Sequence, residues 1–488
     1  MPDDGDIVCA ALARLPATCL MDTLNSLPLV APRVTPVLDP AFRPAVLAAR
    51  AFREQVAAAG GGVPVRLALE QADGSVFRFD IAVLPDTHPG AAGNAAYVER
   101  FVKFLLWSRG GWKIHVDGPA GVVSDLRAHY TGTATGRFDA ELVASKMFDH
   151  PIEVVPTSDL PSEHSVTRPL GRHLDGYRIG FDLGGSDRKV AAVVNGDVVF
   201  SDETVWDPYH KPDPQYHFDG IMDSLRKAAE HLPRVDAIGG SAAGVYVNNR
   251  VKAGSLFRGV PPDLFESRVK GIFAEVKAAW DDVPFEVVND GEVTALAGSM
   301  SLGRNAILGI ALGTSTAAGY VTREGNITSW LNELAFVPVA WNPDAPVDEW
   351  SGDFGVGSQY FSQQAVGRLA PLAGIETPAE MGLPDKLKVV QKLRAEGHEG
   401  ARKVYDTIGT YLGYGLAHFA DFYDIEHVLV LGRVTSGPGG DDIVNGARHV
   451  LDVEFPELAS RITLHVPDEK DKRHGQAIAA ASLPQVGR

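Results

Sequence analysis

Cysteine is nearly absent: the 488 residues contain two, Cys9 and Cys19. Two thiols in so long a chain build no disulfide framework, and the expectation is a reducing, cytoplasmic setting. No run approaches the roughly 18 apolar residues that a membrane-spanning helix requires. The start, Met1-Pro2-Asp3-Asp4-Gly5-Asp6, has neither the basic flank nor the apolar stretch of a signal peptide. Positive charge is short as well, with 45 Lys and Arg against 62 Asp and Glu and a formal charge of −17. That balance argues against a nucleic-acid surface, which needs clustered cations. It does not exclude a phosphate ligand, because backbone amides and one or two cations hold phosphate inside an acidic protein. Apolar residues at 45% and charged residues at 22% are those of an ordinary globular chain. The length exceeds one hydrophobic core, so two or three folding units are expected.

The first 175 or so residues read as a separate α/β domain. Residues 65–70 and 76–83 alternate with period two around Asp73-Gly74, which is a hairpin signal. Residues 95–107 read as an amphipathic helix with Tyr97, Phe101, Phe104 and Leu105 on one side, 113–116 as a strand, and 138–148 as a further helix. Residues 156–172, rich in Pro, Ser and charge, read as a linker. Beyond it, strands are expected at 177–182 and 190–194, with the turn Leu183-Gly-Gly-Ser186 between them, and Asn195-Gly196 turning into 198–200. A helix over 218–231 leads to a short strand at 235–238 and a glycine-rich turn, Gly239-Gly-Ser-Ala-Ala-Gly244. Residues 306–311 and 319–321 repeat the strand–turn–strand pattern around Leu312-Gly-Thr-Ser-Thr-Ala-Ala318. That duplication predicts two similar lobes, 176–300 and 301–488, facing each other, with a C-terminal helix over 475–482 returning to the first.

The two turns carry chemistry. Phosphate oxygens must come within hydrogen-bonding distance of backbone N–H groups, and a Cβ obstructs that approach. Gly184, Gly185 and Ser186 supply amides and a hydroxyl in the first turn, and Gly313, Thr314 and Ser315 do so in the second. Asp182, at a strand end, is placed to orient a magnesium ion through water. One glycine turn alone is most often just a hairpin; the matched pair is a stronger signal. Asp290 lies at a strand-to-helix junction in Val287-Val-Asn-Asp290-Gly-Glu, where Asp is also a favoured N-cap. Capping and catalysis are compatible. The positive helix end is expected to keep the carboxylate ionised, ready to take a hydroxyl proton during phosphoryl transfer. Transfer itself needs mostly positioning and charge neutralisation.

Residues 177–483 resemble the ROK family of sugar kinases and sugar-responsive repressors. The resemblance rests on Ile179-Gly-Phe-Asp-Leu-Gly-Gly-Ser186, Asn289-Asp290, Leu312-Gly-Thr314, Asn332-Glu-Leu-Ala335 and Val430-Leu-Gly432, in that order. It implies an actin- and hexokinase-like (ribonuclease-H-like) α/β core preceded by an extra α/β domain. It also implies an ATP- and Mg²⁺-dependent kinase for a hexose or hexose-like polyol. In its terms Asp290 is the base, Asn289 and Glu333 hold the sugar, Asn248 and Asn249 fall in a sugar-contacting stretch, and Gly432 lies beside the nucleotide.

The departures from the family are specific. The family's zinc-ligating His corresponds to Phe336, and residues 350–362 contain no cysteine, so no zinc is expected. Trp330, Phe336, Trp341 and Trp350 are expected to supply packing instead. Arg433 stands where glycine is usual, and three readings are open: narrowing the adenosine pocket, binding a phosphate or base, or facing solvent. Asp187 adds negative charge beside the phosphates, with Arg188 and Lys189 available to offset it. Tyr209-His-Lys-Pro-Asp-Pro-Gln-Tyr-His217 reads more readily as a surface loop than as part of a cleft mouth.

The alternative function is a non-catalytic sugar sensor on the same fold. A DNA-binding version is disfavoured, because residues 1–172 carry 16 Lys and Arg against 19 Asp and Glu, the wrong sign for a phosphate backbone. Three roles are open to the N-terminal domain: covering the cleft, forming a homodimer, or recognising a larger substrate.

Overall fold

The computed structural model describes residues 25–165, 170–466 and 469–486, so Cys9 and Cys19 lie outside the described residues. The described chain forms two compact units. The first is drawn from residues 25–165, Glu333–Asp421 and Asn445–Phe455; the second from 170–332, Phe422–Val444 and 456–486. Among the described residues no helix is long and apolar enough to cross a membrane.

In the first unit, β1 (Val63–Glu70) and β2 (Val76–Val83) form the expected hairpin. Strands β3 (Lys113–Asp117) and β4 (Glu153–Pro156) complete a sheet of order β2-β1-β3-β4. Helix α1 (Ala45–Ala58) and helix α2 (Asn94–Arg109) belong to this unit. The structure corrects the one-sided reading of α2, which also buries Glu99, Arg100 and Lys103. The cations enter the core because carboxylates meet them: Arg100 bonds Glu99 and Asp353, and Lys103 Nζ lies 2.8 Å from Asp139 and 2.9 Å from Asp353. The helix read over 138–148 is also corrected. The α-helical part spans Ala134–Asp139, and Ala140–Met147 continues as a π-helical turn.

The second unit holds two sheets. The larger has the order β11-β8-β5-β6-β7, from β5 (Tyr177–Leu183), β6 (Asp187–Val194), β7 (Asp197–Val205), β8 (Ala237–Ala242) and β11 (Phe285–Asn289). The smaller has the order β13-β12-β14-β15, from β12 (Ile307–Leu312), β13 (Thr316–Val321), β14 (His427–Leu431) and β15 (Thr463–His465). A short hairpin, β9 (Val245–Val247) and β10 (Arg250–Ala253), follows β8. The duplication is visible in the pairing: β5–β6 and β12–β13 are antiparallel hairpins, and each first strand also pairs a parallel neighbour, β8 or β14. Helix α3 (Pro214–Ala229), capped by Asp213, packs the face of Ile179, Phe181 and Leu183. Helix α4 (Asp290–Leu302) follows β11, and α5 (Glu469–Ala481) lies on β5, β8 and α4.

Gly239 to Gly244 is not a turn. Residues 237–242 are the buried parallel strand β8. The glycines serve packing: a Cβ on Gly239 would strike the carbonyl of Ala480, one on Gly180 the carbonyl of Ala477, and one on Gly240 the ring of Phe181. Bare backbone lets α5 sit directly on the sheet, which is a demand a sequence-local turn signal cannot distinguish from a turn.

Candidate active site

Asp182 is the penultimate residue of β5 and shares the face that Gly180 turns to α5. Its Oδ1 accepts a 2.7 Å hydrogen bond from Ser241 Oγ of β8, and its Oδ2 lies 3.9 Å from Lys189 Nζ. Register explains the row, since Asp182 pairs with Lys189 on β6 and with Ser241 on β8. Burial raises the Asp182 pKa, while the serine and the lysine oppose that rise. Asp187, two residues before Lys189 and on the same side of β6, lies 3.2 Å from its ammonium and accepts from Ser186 Oγ at 2.8 Å. Burial pushes the Asp187 pKa upward, but Ser186, Lys189 and Arg433 outweigh it and the net shift is down. Arg188, offered as a partner for this charge, points to the opposite face and bonds Asp223 and Ser224 of α3. Only Lys189 of that pair offsets the turn.

The turn Gly184–Ser186 is closed by Gly184 N–H to Asp187 O at 2.9 Å, and Gly313–Ser315 by Gly313 N–H to Ser315 O, also at 2.9 Å. Gly185, expected to leave room for a phosphate, meets a second constraint. A Cβ there would collide with the hydroxyl of Tyr209, so a side chain here would displace the Tyr209 ring. Trp206 grips the same turn: its N–H donates to Ser186 O at 3.1 Å and its indole Nε1 to Gly184 O at 2.8 Å. Because peptide C=O and N–H point in opposite directions, the Gly184 carbonyl turned to Trp206 sends the Gly185 N–H away from it. The segment 206–217 is correspondingly no simple surface loop. His217 is fully buried, with Nε2 placed 3.0 Å from Pro208 O and 3.1 Å from Leu256 O.

Asp290 opens α4, but the cap is Asn289. Asn289 Oδ1 accepts from Gly291 N–H at 2.7 Å, and its Nδ2 donates to Gly244 O at 2.7 Å. Asp290 is the first helical residue, half-buried, with Oδ1 accepting from Gly291 N–H at 3.0 Å. The helix end, expected to hold the carboxylate ionised, is not the dominant influence on it. Burial, joined by the charge of Asp182, raises the Asp290 pKa from 3.8 to about 6 against the pull of those amides.

Asp290, Gly432 and Arg433 line one cavity of about 770 Å³ in the second unit. Its wall also takes Thr294 and Gly298 of α4, His465 of β15 and Gln476 of α5. Gly432 adopts φ 96°, and a Cβ there would strike the backbone of Leu312, so this glycine is a true conformational requirement. Arg433 is exposed at the cavity and contributes to the charge balance at Asp187. Asn248 and Asn249 form the β9–β10 turn at φ 51° and 60°. The Asn249 amide is taken up by β11, donating to Phe285 O at 3.0 Å and accepting from Val287 N–H at 2.7 Å. Glu333 belongs to the first unit, where its N–H donates to Trp107 O at 3.0 Å.

The four aromatic residues expected to pack in place of a zinc site do not form one cluster. Trp330 stacks on Tyr320, Phe336 packs on Trp107 and Phe138, Trp341 meets Tyr97 and His418, and Trp350 is 78% exposed. Among the described residues no group of three or more His, Cys, Asp or Glu is arranged to hold a metal ion. Sequence reasoning placed Tyr209 in a loop and Ser241 in a turn and passed over Trp206 and Arg258, since no local pattern ties residues up to some 70 positions apart.

No family model matches the sequence, and no curated protein matches it. Solved structures do. A ROK hexokinase from Thermus thermophilus is 18% identical, with a TM-score of 0.50 over 63% of this chain and 97% of that one. A ROK family glucokinase from Streptomyces griseus, in complex with glucose and AMPPNP, is 21% identical, with a TM-score of 0.49 over 64% and 100%. A ROK family transcriptional regulator, a homolog of the E. coli MLC protein, is 17% identical, with a TM-score of 0.47 over 64% and 79%. At these identities the likeness speaks to architecture, and over 63% of its length this chain has the α/β fold of a ROK hexokinase.

Proposed function

We propose that this chain is an ATP-dependent kinase for a hexose or a hexose-like polyol, with Asp290 as the general base. Asp290 carries the reading: its carboxyl stands at a helix N-terminus in the wall of the cavity, with a pKa of about 6. Such a group is ionised at neutral pH yet basic enough to accept a hydroxyl proton as the phosphoryl group transfers. Asn289, oriented by Gly244 and Gly291, holds the acceptor, and the resemblance gives Glu333 and Asn248 the same task. Asn249 would have to do so with its amide already engaged on β11. Gly184, Gly185, Ser186, Gly313, Thr314, Ser315, Gly432 and Arg433 take the nucleotide and its phosphates. Asp182 and Asp187 present hard oxygen donors that suit Mg²⁺, with Asp182 holding it through water. Bound magnesium would neutralise charge on the donor phosphates.

An ADP-release assay over a panel of hexoses and cyclitols tests this. At least one acceptor should give turnover that Asp290→Asn abolishes; a panel with no turnover above that variant counts against catalysis. One observation favours the sensor reading: Asp187 adds a second carboxylate at the phosphate turn. Calorimetry separates the two, because a sensor binds sugar without binding Mg·ATP.

A further inference from the structure

The phosphate turn has a charge problem. Asp182 and Asp187 flank it, and Lys189 alone is shared between them, since Arg188 is committed to α3. A polyphosphate arriving there meets net negative charge unless further cations approach. Arg433 is one such cation. Another belongs to a pair outside the proposed catalytic set. The Tyr209 hydroxyl abuts Gly185, and the Arg258 guanidinium sits 3.9 Å above the Tyr209 ring centroid. Arg258 is exposed, and among the described residues no carboxylate pairs with it.

The segment is held firmly enough to position a ligand. Trp206 binds the carbonyls of Gly184 and Ser186, the Asp207 N–H donates to Tyr216 Oη at 3.0 Å, and buried His217 fixes the other end. The backbone of Gly259 lies close to that of Tyr209, since a Cβ on Gly259 would come within 2.6 Å of the Tyr209 carbonyl oxygen. A hydroxyl held against the backbone of a phosphate turn is an oriented donor, and a stacked guanidinium beside it is a preorganised cation.

We propose that Tyr209 and Arg258 position the phosphates of the nucleoside triphosphate donor, Tyr209 by hydrogen bonding at Gly185 and Arg258 by charge. The proposal rests on the kinase reading and deepens it. Neither residue takes part in proton transfer. Both belong to donor binding, and Tyr209 serves in addition as the platform that places Arg258.

Calorimetry with Mg·AMPPNP, in the presence and absence of a turned-over acceptor, tests the pair without needing catalysis. Arg258→Gln should weaken Mg·AMPPNP binding on the order of tenfold and flatten its dependence on salt. Arg258→Lys should recover most of the loss. Tyr209→Phe keeps the ring under Arg258 and loses only the hydroxyl, so a decline of about threefold is expected. Acceptor affinity and melting temperature should stay at wild-type values, which separates positioning from a structural effect. Wild-type affinity in both Arg258→Gln and Tyr209→Phe overturns the proposal while leaving the kinase reading intact. A wild-type protein that binds no Mg·AMPPNP overturns both.

Discussion

Replacing Asp290 with Asn should remove catalysis and stabilise the protein at the same time. The carboxyl titrates near 6 instead of 3.8, so holding it ionised at pH 7.5 costs up to about 3 kcal/mol, at 1.36 kcal/mol per pH unit. That shift already includes the favourable pull of the helix N-terminus and of Gly291 N–H. The cavity side admits solvent and screens the charge, so about 1–2 kcal/mol is the expected gain for the neutral isostere. The sign follows from the raised pKa. Below pH 3.8 both folded and unfolded carboxyls are protonated and there is no penalty. As pH rises toward 6 the unfolded chain ionises first, the folded state loses ground, and the penalty is complete above the folded pKa. Scanning calorimetry in EDTA at pH 7.5 and pH 4 reads this directly. At roughly 2–4 °C per kcal/mol for a unit of this size, the Asn variant should melt several degrees higher at pH 7.5 and nearly level with wild type at pH 4. In parallel, wild-type kcat/KM should fall as pH drops through about 6. An Asn variant that melts lower at pH 7.5, or gains equally at both pH values, refutes the burial argument.

Two further outcomes follow from packing. Gly239→Ala drives a methyl into the Ala480 carbonyl and should cost about 1–3 kcal/mol or more, lowering the melting temperature with no change that a salt or pH adjustment restores. A variant as stable as wild type would mean that α5 does not lie directly on β8. Lys103→Met removes the cation shared by Asp139 and Asp353 and leaves both carboxylates in a buried site. Chemical denaturation should show a loss of about 3–5 kcal/mol, and a loss under about 1 kcal/mol would contradict the buried network.

Much of the local structure was legible because it is set by neighbours in the chain. Asp73-Gly74 and Asn195-Gly196 form turns, the former with Gly74 at φ 86° and the latter with both residues at positive φ, as the dipeptides predict. Period-two alternation located β1 and β2, and the strand-to-helix junction placed Asp290 at the start of α4. The repeated strand–turn–strand pattern foretold the paired hairpins β5–β6 and β12–β13. What failed in sequence were features imposed from elsewhere in the fold. Gly239 and Gly240 looked like a turn because glycine favours turns, yet they face α5 and Phe181 across a tight contact. Asn249 was expected in a sugar-contacting stretch, and the bonds of its amide to Phe285 O and Val287 N–H of β11 are contacts that no local pattern announces.

The sequence by itself determined most of the order of strands and turns and the inventory of glycine-turn and carboxylate groups. Those are encoded in spacing, in residue type and in the dihedral preferences of single residues. Only the tertiary structure decided what those groups experience. Desolvation and the nearby Asp182 raise the Asp290 pKa to about 6 against the pull of the helix end, and Arg188 and Lys189, adjacent in the chain, leave the strand on opposite faces. Tyr209 reaches Gly185, and Arg258 reaches Tyr209, by contacts that no local pattern records. Desolvation and Coulomb interactions depend on distance in space, and the chain fixes that distance only by folding.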